Sequence, residues 1–125
     1  EKGISVVRKG KSGAEEIVQM MSNFRSNPPK EIAGSPVKMI KDYQTLKMTD
    51  VKSGEVTDLV MPTTSNVLQF YTEDGTKISV RPSGTEPKIK FYIEVRGEMK
   101  TRADYDAAEA AANLKIEAVR ASMGV

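Results

Sequence analysis

The sequence contains no cysteine and no histidine. Without Cys the chain can form neither disulfides nor thiolate metal sites, which fits a reducing compartment. Without His it lacks the usual general base near neutral pH, the commonest metal ligand, and any Ser-His or Cys-His nucleophile pair. Catalysis by such a pair is therefore excluded for this chain.

Charge of one sign and long apolar runs are also scarce. The formal net charge is +2, with acidic and basic residues mixed, whereas nucleic-acid binders usually carry a clustered basic face. No apolar run is long enough to cross a bilayer. We therefore expect neither a nucleic-acid nor a membrane partner, and a cytoplasmic location. The chain opens on Glu1 without a signal-peptide pattern, and we expect it to be part of a longer protein.

The length of 125 residues fits one domain. We expect residues 1–12 to be a basic, irregular lead-in from a preceding domain, with at most a short extended piece at Val6 and Val7. Ser12 followed by Glu15 reads as a capping box that starts a helix. Apolar residues then recur at helical spacing, at Ile17, Met20, Met21 and Phe24. Since Pro28 and Pro29 end such a helix, the pattern predicts a first helix over residues 13–26.

The second half of the chain predicts strands and a final helix. Residues 37–45 alternate well enough for a strand, while residues 46–65 show no clear pattern. The Asp74-Gly75 pair favours a tight hairpin turn between two alternating runs, and residues 88–96 predict a long half-buried strand. A last helix is predicted from Thr101 to Gly124, with its apolar face at Leu114, Ala118 and Ala121. This order predicts an α+β fold in which an antiparallel sheet of about four strands carries two helices on one face.

The loop over residues 81–88, between two predicted strands, concentrates the chemistry of the chain. Prolines at both ends restrict its freedom, which lowers the cost of ordering it around a ligand. Because Ile78 and Val80 point to the core, Arg81 points to the other face. There its guanidinium can pair with a phosphate through two hydrogen bonds. Hydroxyls, a glycine able to adopt positive φ in an anion-binding nest, and an ammonium complete the set. The candidate phosphate-binding residues are Arg81, Ser83, Gly84, Thr85 and Lys88.

Two local patterns also allow other interpretations. Turn residues and flanking cations are common at strand ends, so the loop could also be a simple turn. Glu86 would repel a phosphate, and we expect it instead to hold Arg81, Lys88 or a backbone amide. Gly10-Lys11-Ser12 before a helix suggests a nucleotide P-loop, but Ser5 stands where that motif needs its first glycine. Capping by Ser12 explains those residues better.

The string at residues 81–92, RPSGTEPKIKFY, resembles the phosphate-binding signature in the C-terminal domain of the α-D-phosphohexomutase superfamily. Residues 20–29, residues 34–43 and the Asp74-Gly75 hairpin are similar to the same domain in the phosphoglucomutase/phosphomannomutase branch. The resemblance thus covers most of the chain, and we expect residues 13–125 to be that domain.

The resemblance implies a fold similar to that of the TATA-box-binding protein and a role in a four-domain isomerase. Such enzymes interconvert hexose 1- and 6-phosphates through a hexose 1,6-bisphosphate, using a phosphoserine and Mg²⁺. Both of these are expected in preceding domains, which would be partners of this one, so the chain would hold no catalytic residue, metal or cofactor. Its loop would clamp the phosphate that is not reacting. A stand-alone phosphate-binding or protein-interaction module is the alternative.

Overall fold

The fold was obtained as a computed structural model that describes residues 2–9, 13–96 and 105–125. The predicted capping residue Ser12, the Gly10-Lys11-Ser12 motif and the predicted second helix start at Thr101 lie outside these ranges. The helices are α1 (Gly13–Ser26) and α2 (Tyr105–Met123). The strands are β1 (Lys2–Lys9), β2 (Glu31–Ile32), β3 (Ser35–Asp42), β4 (Lys47–Asp50), β5 (Val56–Asp58), β6 (Leu68–Thr72), β7 (Lys77–Pro82) and β8 (Lys88–Val95).

The strands form one sheet in which every described pairing is antiparallel. Its order is β1-β8-β7-β6-β3-β4-β5, and the short β2 pairs with β3. The predicted α+β class is confirmed, as is the tight β6–β7 turn, where Gly75 adopts a φ of 89°. The first helix has the predicted bounds. The third strand ends at Asp42, three residues before the predicted end.

The prediction of about four strands was too low, since the described residues form eight. The β4–β5 hairpin lies in the segment without pattern, because β5 is exposed along its whole length and therefore needs no apolar alternation. Residues 2–9, expected to be irregular, pair residue by residue with β8 from Lys2↔Val95 to Lys9↔Lys88. These pairings between strands cannot be deduced from the hydrophobic pattern of a single sequence.

The core lies between one face of the sheet and the two helices. The buried side chains of β6, β7 and β8 face α1, where the Phe24 ring lies 6.0 Å from the rings of both Phe70 and Phe91. From α2, Ile116 and Val119 enter the same cluster. The opposite face of the sheet, called the open face below, carries side chains that are only half-buried among the described residues, such as Gln69 and Ser79. No helix in the described part of the chain is long and apolar enough to cross a membrane.

The buried face of α2 differs from the predicted one. Leu114, expected in the core, is 73% exposed, while Ile116 is 2% exposed. They are two positions apart, which is about 200° around a helix, so the two side chains lie on opposite sides. The packed face is formed by Ala112, Ile116, Val119 and Met123.

Candidate functional site

The predicted phosphate-binding loop is a tight connection between β7 and β8, and residues 83–87 are here called the β7–β8 loop. The last strand pair before it is Pro82↔Ile89. The Ser83 amide then donates to the Lys88 carbonyl at 2.8 Å, and the Lys88 amide donates to the Glu86 carbonyl at 2.8 Å. These two bonds close the base of the loop. Its tip is exposed from Gly84 to Pro87.

Two amides of the loop converge on a single oxygen. The amides of Thr85 and Glu86 donate to the Ser83 hydroxyl oxygen at 3.4 and 3.3 Å. Both distances are at the long end for N–H···O bonds, so each amide retains capacity for a shorter bond to a better acceptor. An oxyanion is such an acceptor, because charge-assisted bonds are shorter and stronger than neutral ones.

Gly84 does not adopt the positive φ that a nest of successive amides would need, since its φ lies outside the left-handed region. That part of the prediction was wrong. A Cβ placed on Gly84 would meet no atom within 4 Å. Glycine at this position therefore leaves open space in front of the loop, and it is not required by the backbone conformation of the loop.

Arg81 lies on the open face, as parity predicts: Ile78 and Val80 are fully buried and the Arg81 side chain is exposed. The register places it directly across from Lys90. Within the described residues the structure gives neither cation an ion-pair partner. Like charges directly opposite each other on neighbouring strands destabilise a sheet, and an anion held between them would remove that repulsion.

Lys88 behaves differently from the other two cations. Its Nζ lies 2.7 Å from Glu86 Oε2, so Glu86 contacts one of the three partners expected for it. The pair is partly exposed, with 26% of the Lys88 side chain and 56% of the Glu86 side chain accessible. Because its charge is already matched, Lys88 is a weaker candidate for an anion ligand than Lys90. The sequence did not indicate Lys90; only the strand register reveals it.

The open face beside Arg81 is polar and internally bonded. The Gln69 side-chain amide donates to the Ser79 hydroxyl at 3.1 Å, and the Gln69 oxygen accepts from the hydroxyls of Tyr43 (2.8 Å) and Tyr71 (3.0 Å). Ser79 precedes Arg81 by two residues, so it lies on the same side of β7. This network fixes the surface from which the Arg81 side chain projects.

On the side of the helices, the β7–β8 loop and the start of α1 enclose a cleft of about 560 Å³. Its lining includes the predicted site residues Ser83, Gly84 and Thr85, while Arg81 and Lys88 do not line it. Its floor is apolar, with Ile17, Val18 and Met21. The predicted site residues are thus split by the loop, with the hydroxyls and the glycine reaching the cleft and the cations lying toward the open face.

The described residues offer no group of three or more His, Cys, Asp or Glu side chains that could hold a metal ion. Fold and loop together define a small α+β domain with a polar, cation-flanked turn at one end of its sheet.

The family of this domain follows from sequence comparisons. Residues 31–112 match the family described as "Phosphoglucomutase/phosphomannomutase, C-terminal domain". A phosphoglucomutase of Staphylococcus epidermidis is 43% identical over 86 residues, which is 69% of this chain. A phosphoglucomutase of Staphylococcus aureus is 41% identical over 87 residues, or 70% of the chain. The chain belongs to this family of C-terminal domains, and it spans 15% of the length of these relatives.

Proposed function

We propose that this chain is the part of a phosphoglucomutase-type isomerase that holds the non-reacting phosphate of a hexose phosphate or hexose 1,6-bisphosphate. Family membership and the names of the relatives support the class of substrate. The observation that carries the proposal is the pair of facing cations, Arg81 and Lys90, at the base of the β7–β8 loop. Each lacks an ion-pair partner among the described residues.

Arg81 would bind two phosphate oxygens through its planar guanidinium, and Lys90 would add a second positive charge. The Ser83 and Thr85 hydroxyls and the amides that now converge on the Ser83 oxygen reach the cleft side of the loop, so they would donate to phosphate oxygens that extend around the exposed loop tip. The space in front of Gly84 lets the phosphate approach the backbone. Lys88, whose charge is matched by Glu86, would lie at the edge of the site.

Holding the distal phosphate would contribute to catalysis by orientation. Binding energy from a part of the substrate that does not react can position the part that does. Phosphoryl transfer, and the Mg²⁺ and phosphoserine that the family resemblance implies, would belong to the rest of the enzyme.

Replacing Arg81 in the full-length protein that contains this chain tests the proposal. A charge-assisted hydrogen bond contributes about 1.5–3 kcal/mol, so Arg81→Ala should lower kcat/KM for glucose 1-phosphate roughly ten- to a hundredfold. Arg81→Lys should recover only part of that loss, because an ammonium cannot form the planar pair of bonds. Steady-state kinetics measures both effects.

Two further variants sharpen the test. Arg96→Ala removes the same kind of charge just past the opposite end of β8 and should leave kcat/KM nearly unchanged. Gly84→Ala places a methyl group in open space, so it should preserve folding while weakening substrate binding. An Arg81→Ala enzyme with unchanged kcat/KM would rule out the phosphate site at this loop.

A further inference from the structure

The β7–β8 loop rests directly on the first residue of α1. Gly13 is buried, although it begins a helix whose next two residues are exposed. A Cβ placed on Gly13 would lie 2.1 Å from Cβ, 2.9 Å from Cγ and 3.3 Å from Cα of Pro87. Carbon atoms in favourable contact are about 3.5–4.0 Å apart. No residue larger than glycine fits here while Pro87 stays where it is.

The reason for glycine at this position is therefore space and not backbone conformation. The φ of Gly13 lies outside the left-handed region, so an L-amino acid could adopt its backbone angles. Alanine would also be the better helix former. What alanine cannot do is leave room for the pyrrolidine ring of Pro87.

Pro87 is covalently linked to the groups that the proposed site uses. It follows Glu86, whose amide is one of the two that converge on the Ser83 oxygen. It precedes Lys88, whose backbone closes the base of the loop through Ser83 and Glu86. A shift of Pro87 would therefore move both the converging amides and the Glu86–Lys88 pair. Because the loop is short and is closed by two backbone hydrogen bonds, it has little conformational freedom to absorb such a shift.

We propose that Gly13 is a positioning residue of the phosphate site: the absence of a side chain there seats Pro87 against α1 and so sets the position of the β7–β8 loop. This inference rests on the proposed phosphate-binding function. A methyl group at residue 13 would push Pro87 outward by about 1 Å or more to restore normal carbon contacts. Displacements of about 1 Å in substrate-positioning groups can lower rates on the order of a hundredfold.

The test is a double-mutant cycle in the full-length protein, using Gly13→Ala and Pro87→Gly. Gly13→Ala should lower kcat/KM for glucose 1-phosphate by about ten- to a hundredfold, mainly by raising KM. Pro87→Gly alone loses the ring that stiffens the loop and should have a smaller effect. The double variant lacks the ring atoms at residue 87 that a methyl group at residue 13 would strike. It should therefore return to within about threefold of Pro87→Gly alone.

Each outcome of the cycle decides the question. Rescue by Pro87→Gly supports the proposal, because a purely helical role of Gly13 would not respond to residue 87. An unchanged KM in Gly13→Ala, or an equal loss with and without Pro87→Gly, overturns it. Should Gly13→Ala fail to fold, a double variant that folds and behaves as Pro87→Gly supports it, and a double variant that also fails overturns it.

Failure of the proposed function can be told apart from failure of this inference. If Arg81→Ala and Gly84→Ala leave kcat/KM unchanged in the same assay, the phosphate site itself is wrong. If those two variants lower kcat/KM while Gly13→Ala leaves KM unchanged, the site stands and only the positioning role of Gly13 falls.

Discussion

Asp74 joins the β6–β7 turn to helix α2 through a cluster of donors to one carboxylate. The Thr72 hydroxyl donates to it at 2.5 Å, and the Thr76 amide and hydroxyl donate at 3.2 and 2.9 Å. Lys115 of α2 pairs with the other carboxylate oxygen. Partial burial raises the pKa of Asp74, but the hydrogen bonds from Lys115, Thr72 and Thr76 together outweigh it and hold the pKa well below its ordinary value.

Asp74→Asn should therefore lower stability at neutral pH. Because the pKa of Asp74 is lower in the folded state, its contribution is fully present above the unfolded value of about 4 and is lost as the pH falls toward the folded value. Both side chains of the pair are about one third exposed, so we expect a discounted loss of roughly 1–2 kcal/mol at pH 7. Urea unfolding of the 125-residue chain between pH 7 and pH 3 measures it, and the gap to wild type should narrow below pH 4.

Asp58→Asn is the matched control for this prediction. Asp58 also pairs with a lysine, Lys47, at 2.5 Å, and that bond is the main reason its pKa is lowered. Its side chain is 76% exposed, and surface pairs of this kind contribute little. An Asp58→Asn variant as unstable as Asp74→Asn would contradict the assignment of stability to the Asp74 cluster.

The site residues show what a sequence can reveal at this scale. The outward direction of Arg81 followed from strict alternation along β7. Lys90 was missed because a residue opposite Arg81 can be named only when the strand register is known. The contact between Gly13 and Pro87 joins residues far apart in the chain, which no local pattern indicates. The sequence shows only that a glycine stands at the start of a helix, and the structure is needed to show that the backbone conformation does not require it.

Among the elements, α2 offers a direct test of which face packs. Ile116 is 2% exposed and Leu114 is 73% exposed. Ile116→Ala should cost about 2–5 kcal/mol, because it removes buried methyl groups and leaves a cavity in the core. Leu114→Ala should change stability by about 0.5 kcal/mol or less. Thermal and urea unfolding of both variants checks this, and a larger cost for Leu114→Ala would contradict the observed packing.

The elements differ in how far the sequence predicts them, because some are stabilised by burying an apolar face and others by backbone pairing. Helix α1 and the hairpin of β7 and β8 bury one face against the core, so their apolar residues recur at the period of a helix or a strand. Alanines dominate α2, so its faces differ little in hydrophobicity. The predicted face was therefore chosen from Leu114, which is exposed. The exposed β4–β5 hairpin depends on backbone pairing, and the partner strand of β1 is likewise a matter of pairing; neither has a signature in a single sequence.

At the scale of the whole molecule, the sheet runs from β1 at one edge to β5 at the other, and β8 lies second from the β1 edge. Among the residues whose burial is described, β8 carries the longest deeply buried run: Ile89, Phe91 and Ile93 are fully buried and Val95 is 1% exposed. It also contacts both helices. Among the described strands, only β1 lies between β8 and this edge of the sheet.

The division of the chain at residue 12, with the domain beginning at residue 13, remains a prediction that this arrangement puts to the test. If residues 1–12 were only a linker, a chain of residues 13–125 would be as stable as the 125-residue chain. The pairing of β1 with β8 along its whole length leads us to expect otherwise. Net backbone hydrogen bonding contributes about 1 kcal/mol per bond and is partly offset by the entropy of ordering β1.

We expect the free energy of unfolding of the chain of residues 13–125 to be lower by about 2 kcal/mol or more, which corresponds to a fall of roughly 1 M in the urea midpoint. It should also associate at high concentration, because β8 would become an exposed, unpaired edge strand of strong apolar character. Urea unfolding and size-exclusion chromatography across a range of concentrations measure the two effects. Equal midpoints and a concentration-independent elution volume would place the beginning of the domain at residue 13, and β1 would then be an accessory to a core that is complete without it.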